Sequence, residues 1–151
     1  MEISILFLPL IASIISGFFG RYIGDRNSEI VTSVLVSASA LLSIYVLYQV
    51  VVNQYEENIV IATWINSGSL DVNWSMLIDP LSAVMLVVVT SVSSLVHIYS
   101  IGYMSHDPHK PRFMAYLSLF TFAMLMLVTA DNFLQLFFGW EGVGLCSYFL
   151  I

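Results

Sequence analysis

Long apolar runs separated by short polar segments dominate this chain. Five of these runs are close to the ~20 residues that an α-helix needs to cross a hydrocarbon core of ~30 Å. The pattern predicts an all-α polytopic membrane protein that forms a single membrane domain. We expect about five transmembrane helices, at residues 3–21, 30–52, 79–104, 112–130 and 133–151. The last run reaches the end of the sequence, so the fifth helix is expected to be incomplete.

The segment between the second and third runs has a different periodicity. Apolar and polar residues alternate from Leu70 to Met76, and the sequence Asn-Ser-Gly-Ser at residues 66–69 is typical of a turn. These features predict a short extramembrane β-hairpin at residues 59–76, with Trp64 and Trp74 at the level of the lipid headgroups. An irregular loop is the alternative, because an isolated two-stranded hairpin is only marginally stable.

The charged residues indicate an orientation. With five spans, the basic residues Arg21, Arg26, Lys110 and Arg112 all fall on one side of the membrane. The positive-inside rule then places the amino terminus and the hairpin on the outer side, the intermembrane space or periplasm.

Composition supports a membrane protein over a soluble domain. The 151 residues are 59% hydrophobic and 9% charged, whereas soluble domains have about 25% charged residues. Four basic residues against ten acidic ones provide no electrostatic surface for nucleic acid. The single cysteine, Cys146, excludes an internal disulfide and is interpreted as a small buried hydrophobe.

Glu141 is the first candidate functional residue, because it lies in the middle of the fifth apolar run. A helix that begins at Phe133 carries it about 12 Å below its entry point. A central charge costs roughly 2.5–3.5 kcal/mol on insertion scales, so such an acid normally has a partner. Gly139, Gly142 and Gly144 would let a second helix or water approach it. The alternative is a purely structural, hydrogen-bonded glutamate.

Two histidine-containing features rank below Glu141. His97 lies within the third run and could relay protons, since histidine titrates near neutral pH, although a neutral packing histidine explains it equally well. His106, Asp107 and His109 are close in sequence, but three loop ligands are a weak metal signal, and we expect a solvated turn and no metal.

Three motifs resemble one family in the same order. Residues 127–148 read LVTADNFLQLFFGWEGVGLCSY, preceded by IDPLS at 78–82 and YMSHDP at 103–108. They resemble subunit 5 of NADH dehydrogenase, called subunit L in bacteria, the antiporter-like proton-pumping subunit of respiratory complex I. The resemblance covers essentially the whole chain. Members of this family have well over a dozen helices, so the resemblance implies that the chain is an amino-terminal fragment or one part of a naturally split subunit.

The resemblance implies a contribution to proton translocation coupled to NADH:ubiquinone oxidoreduction. It implies no catalytic residue and no cofactor in this chain, NADH and ubiquinone being used by other subunits. Glu141 would belong to the proton path and interact with a lysine on a later helix, of the same or a split subunit. Making or breaking such a pair changes the affinity of a carboxylate for protons.

The same resemblance implies other membrane-arm subunits and the lipid bilayer as partners. The mitochondrial inner membrane is the expected location, with a bacterial plasma membrane as the alternative. Two other interpretations remain at this stage: the large subunit of a Mrp-type multisubunit cation/proton antiporter, and a structural module beside a pump.

Overall fold

A computed structural model describes all residues from Met1 to Ile151 as five long helices and one β-hairpin. This confirms the predicted fold class. The elements are α1 (Glu2–Ile23), α2 (Asp25–Asn53), β1 (Glu57–Ser67), β2 (Leu70–Ile78), α3 (Pro80–Tyr103), α4 (Lys110–Val128) and α5 (Phe133–Leu150).

The helices form an antiparallel bundle in which α5 is peripheral. α1 packs against α2 and α4, α2 packs against α3, and α5 packs mainly against α4. The hydroxyl of Ser16 donates a hydrogen bond to the carbonyl of Pro111 at 2.8 Å, which joins the second half of α1 to the first turn of α4. The α1–α2 connection and the α3–α4 loop therefore lie at one end of the bundle, and the hairpin lies at the other.

The start of α2 differs from the predicted boundary. A polar turn was expected before a helix beginning at Ile30, but the helix already begins at Asp25. Gly24 alone interrupts the helices, with a φ of 88° that favours glycine. The polar residues 25–29 thus form the first turns of α2, where they face neighbouring helices as well as solvent.

The start of α3 follows from its sequence. Asp79 Oδ1 accepts a hydrogen bond from the backbone N–H of Ser82 at 2.6 Å, and Ser82 Oγ accepts one from the N–H of Asp79 at 2.8 Å. Pro80 is the first helical residue, where its missing N–H is of no consequence. This reciprocal capping box connects the hairpin directly to the helix.

The hairpin docks on the bundle, and its strand pairing has two irregularities in β1, between Val60 and Ala62 and between Thr63 and Ile65. Its strands pair antiparallel around Gly68, whose φ is 63°, and Met76 and Ile78 enter the hydrophobic core. The rings of Trp64 and Trp74 pack against each other with an interplanar angle of 33°, and both meet the ring of Phe138 on α5 edge-on. The irregular-loop alternative is therefore wrong, because α5 and the core supply the support that an isolated hairpin lacks.

Buried residues divide the bundle into two halves. The half nearest the hairpin contains the apolar core, built from Ile5, Leu6, Val46, Val50, Met76, Ile78, Ala83, Leu86, Leu125 and Met126. The outer surface is also apolar, with Phe18 78% exposed. Apolar side chains on the outside suit contact with lipid rather than water.

Candidate functional site

The half of the bundle nearest the basic loops is polar inside. Hydroxyl groups from all of α1 to α4 are buried there, and some of them form hydrogen bonds across the helix interfaces. Ser37 and Ser94 join α2 to α3 through an Oγ–Oγ distance of 2.7 Å, and Ser93 contacts Thr121 between α3 and α4. Such hydrogen bonds between helices are worth about 0.6–2 kcal/mol each in a membrane.

His97 lies at the centre of this polar half, on α3, and is completely buried. Its Nδ1 lies 2.7 Å from the carbonyl oxygen of Ser93, which can only accept, so Nδ1 carries the proton. Its Nε2 lies 3.0 Å from Ser118 Oγ on α4 and accepts from that hydroxyl in the neutral tautomer. The ring therefore has a partner on each side and links α3 to α4.

Glu141 lies on the exposed face of α5 and has no hydrogen-bond or ion-pair partner among the described residues. It follows the helix start at Phe133 by eight residues, which is about 12 Å at 1.5 Å per residue. The carboxylate thus occupies the middle of an apolar helix and points away from the helices described here.

The glycines near Glu141 have separate roles. A Cβ on Gly139 would lie 2.9 Å from the backbone of Leu127, and one on Gly142 would lie 3.3 Å from Ala123. Both glycines therefore allow α5 to approach α4. Gly144 faces open space. α4 therefore makes the predicted close approach to α5 at Gly139 and Gly142, but α4 does not cover the Glu141 side chain.

Glu29 is an acidic residue that sequence reasoning missed. It lies in the second turn of α2, is 5% exposed, and is the one carboxylate among the buried residues. Its Oε1 lies 3.9 Å from Lys110 Nζ at the start of α4. The signal was present in the sequence, because Glu29 immediately precedes an apolar run, but the helix predicted at residues 30–52 left Glu29 outside it.

The remaining sequence candidates do not join these groups. Asp107 Oδ1 accepts a hydrogen bond from the backbone N–H of His109 at 2.6 Å, in an exposed turn. No group of three metal-ligating side chains comes together anywhere in the chain. Cys146 is buried on α5.

Five helices are long and apolar enough to cross a membrane. Together with the apolar outer surface and the polar interior half, they define a polytopic membrane protein with ionisable groups inside its helical region. Comparison with known proteins specifies the class further. The family model of the amino terminus of NADH-ubiquinone oxidoreductase (complex I) chain 5 matches residues 64–114.

Similarity to individual relatives extends along the whole chain. NADH-ubiquinone oxidoreductase chain 5 of Arabidopsis thaliana is 58% identical over 151 residues, which are 100% of this chain and 23% of the relative. The Triticum aestivum protein is 57% identical over the same 151 residues, 22% of its length. The Phytophthora infestans protein is 53% identical over 149 residues, 99% of this chain and 22% of the relative.

The chain is similar over its whole length to NADH-ubiquinone oxidoreductase chain 5, and its residues 64–114 match the family model of the amino terminus of that protein. It spans less than a quarter of the length of these curated relatives. The findings do not favour the Mrp-type antiporter alternative.

Proposed function

We propose that this chain forms part of an antiporter-like membrane-arm subunit of respiratory complex I. In this role it contributes to proton translocation coupled to NADH:ubiquinone oxidoreduction. The observation that carries the proposal is the position of Glu141, an unpaired acid halfway along an apolar helix. The match to the family model of the amino terminus of a complex I subunit supports it.

The energetic argument concerns the unpaired carboxylate. An ionised side chain in the middle of a bilayer is expensive, and intramembrane acids are found facing protein or water, with a partner. α1 to α4 provide no such partner, and Lys110, the one lysine of the chain, already faces Glu29. We therefore infer that Glu141 faces a further protein element, and that its partner is a lysine on a later helix of the same or a split subunit.

Such a pair can move protons. A carboxylate that faces a lysine is held ionised, and it takes up a proton when the lysine is drawn away or neutralised. The pair therefore couples a distant change of charge to the binding and release of one proton. Glu141 is the principal residue of the proposed path.

His97 is the second residue that we place in the path. Imidazole can accept a proton at one nitrogen and release one at the other, and the hydroxyls of Ser93 on α3 and Ser118 on α4 flank its ring. In the resting state both nitrogens have partners, so His97 also stabilises the α3–α4 contact.

We propose the mitochondrial inner membrane as the location, since the similar proteins above come from eukaryotes. The common end that holds Arg21, Arg26, Lys110 and Arg112 then faces the matrix, and the amino terminus and hairpin face the intermembrane space. The redox reactions of NADH and ubiquinone are assigned to other subunits, and this chain contributes no cofactor of its own.

The test is Glu141→Gln in the full-length protein within the assembled complex. Glutamine is nearly isosteric but cannot ionise, so we expect fewer protons translocated per NADH oxidised, with assembly retained. Glu56→Gln is the matched control, because Glu56 is exposed just before the hairpin. Equal proton translocation in both variants would overturn the role of Glu141 and favour a structural module.

A further inference from the structure

Glu29 and Lys110 form a buried charged pair at the basic end of the bundle. The Glu29 side chain is 6% exposed and the Lys110 side chain 20% exposed. Their separation of 3.9 Å is longer than the 2.7–3.2 Å of a hydrogen bond from nitrogen to oxygen. Lys110 therefore balances the charge of the carboxylate without donating a hydrogen bond to Oε1.

Oε1 of Glu29 has no hydrogen-bond donor at all, although it is buried. An unsatisfied buried acceptor costs about 1–3 kcal/mol, and more when it is charged. Two other hydroxyls in the first turns of α2, those of Ser28 and Ser33, are likewise buried and without partners. Ser33 lies four residues after Glu29, and side chains at this spacing are neighbours on a helix.

The surroundings of Glu29 offer a contact to either protonation form of its side chain. When ionised, the carboxylate is balanced by Lys110. When protonated, it acquires an O–H donor of its own, which the unpaired Ser33 hydroxyl on the same face can accept. A purely structural ion pair would be better served by a short, hydrogen-bonded contact, since desolvated pairs repay their burial only with good geometry.

Hydroxyl side chains on α2 and α3 form the candidate polar route from Glu29 into the bundle. Ser33 is followed one turn later by Ser37, whose Oγ lies 2.7 Å from Ser94 Oγ on α3. Ser94 lies three residues before His97, and both belong to the buried face of α3. Hydroxyls that both donate and accept thus line the interval between the acid at the bundle end and the buried imidazole.

We propose that Glu29 is a proton-binding site at the basic end of the bundle, through which protons enter the polar half. In the loading step, the carboxylate takes one proton from the aqueous side and becomes a neutral carboxylic acid. In the release step, that proton passes to the next acceptor along the hydroxyl route, and the carboxylate returns to its charge-balanced state beside Lys110. Lys110 keeps its proton throughout. The inference rests on the proposed function.

The first test is Glu29→Gln in the full-length protein within the assembled complex. We expect a lower number of protons translocated per NADH oxidised. Asp25→Asn is the matched control, because Asp25 lies one turn earlier on α2 and is exposed; it should leave the ratio unchanged. Glu141→Gln is measured in parallel.

The parallel variant separates the two hypotheses. A loss in Glu141→Gln with no loss in Glu29→Gln overturns the role of Glu29 and leaves the proposed function in place. A loss in neither variant overturns the proposed function, and the role of Glu29 as a proton entrance falls with it.

Infrared difference spectroscopy of the same complex during turnover tests the protonation directly. A carboxylic acid C=O band should appear, disappear in Glu29→Gln and persist in Asp25→Asn. In Lys110→Met, Glu29 should stay protonated throughout turnover, because the charge that balances the ionised state is gone, and the turnover-dependent band should therefore be lost. If Glu29→Gln fails to assemble, Glu29→Asp must shift the band. A band unaffected by every change at Glu29 and Lys110 overturns the proposal.

Discussion

Gln135 joins the hairpin to the bundle and offers the sharpest test of the fold. This side chain on α5 is completely buried. Its Oε1 accepts from the backbone N–H of Ser75 at 3.0 Å, and its Nε2 donates to the carbonyl of Ser75 at 2.7 Å. The amide thus bonds the free edge of β2 in the way a neighbouring strand would.

Replacing Gln135 by methionine keeps the length of the side chain and removes both bonds. The N–H and the C=O of Ser75 would then be buried without partners, and each such loss costs about 1–3 kcal/mol. We therefore expect the docked hairpin to lose about 2–6 kcal/mol relative to its open state. Because Met76 and Ile78 are part of the core, the thermal midpoint of the whole bundle should also fall.

The assay is amide hydrogen exchange of the hairpin in a lipid nanodisc. In Gln135→Met, exchange of the β2 amides around Ser75 should accelerate, while that of the centre of α2 should change much less. Gln49→Met is the matched control, since the Gln49 amide bonds only the side chains of Tyr45 and Asn53 at an exposed position. Hairpin exchange that is the same in both variants would refute the assignment of Gln135 as the anchor.

Two further predictions concern neighbouring parts of the chain. Gly139→Ala should destabilise the α4–α5 contact by about 1–3 kcal/mol through overpacking, because the new Cβ would lie 2.9 Å from the backbone of Leu127; Gly144→Ala, which meets nothing within 4 Å, should match wild type in a thermal melt. Burial raises the pKa of Asp131, but the surrounding polar side chains, including the 2.6 Å hydrogen bond from Asn58, outweigh it and hold that pKa below 3.8. The ionised form therefore stabilises the fold above pH 3.8, and this stabilisation should be lost as the pH falls through the lower folded-state pKa. Acid unfolding followed by circular dichroism should show a shallower pH dependence in Asp131→Asn, and an unchanged slope would contradict the assignment.

Local sequence patterns were sufficient to predict the type and order of the secondary-structure elements. Runs of apolar residues long enough to cross a bilayer identify helices, because a backbone in lipid must satisfy its own hydrogen bonds. Period-two alternation identified β2, and Asp79-Pro80 identified the start of α3, because both signals depend on residues only a few positions apart. The same reasoning selected Glu141 and His97, since polar groups inside apolar runs are conspicuous.

Contacts between distant segments needed the tertiary structure. Glu29 and Lys110 form an ion pair although they are 81 positions apart in the sequence (110 − 29). Gln135 and Ser75 are hydrogen-bonded although they are 60 positions apart. Neither contact has a local pattern that would reveal it. The sequence pattern also left Glu29 outside the second helix, because a helix boundary next to charged residues is set by packing and by the single break at Gly24 rather than by composition.

Burial likewise separated the two intramembrane candidates. His97 and Glu141 share one property in the sequence, since each is a polar group in an apolar helix. Packing then places His97 between α3 and α4 with both ring nitrogens bonded, and leaves Glu141 on the uncovered face of α5. The physical reason is that hydropathy depends on residue type, whereas the face that a residue presents depends on which helices surround it.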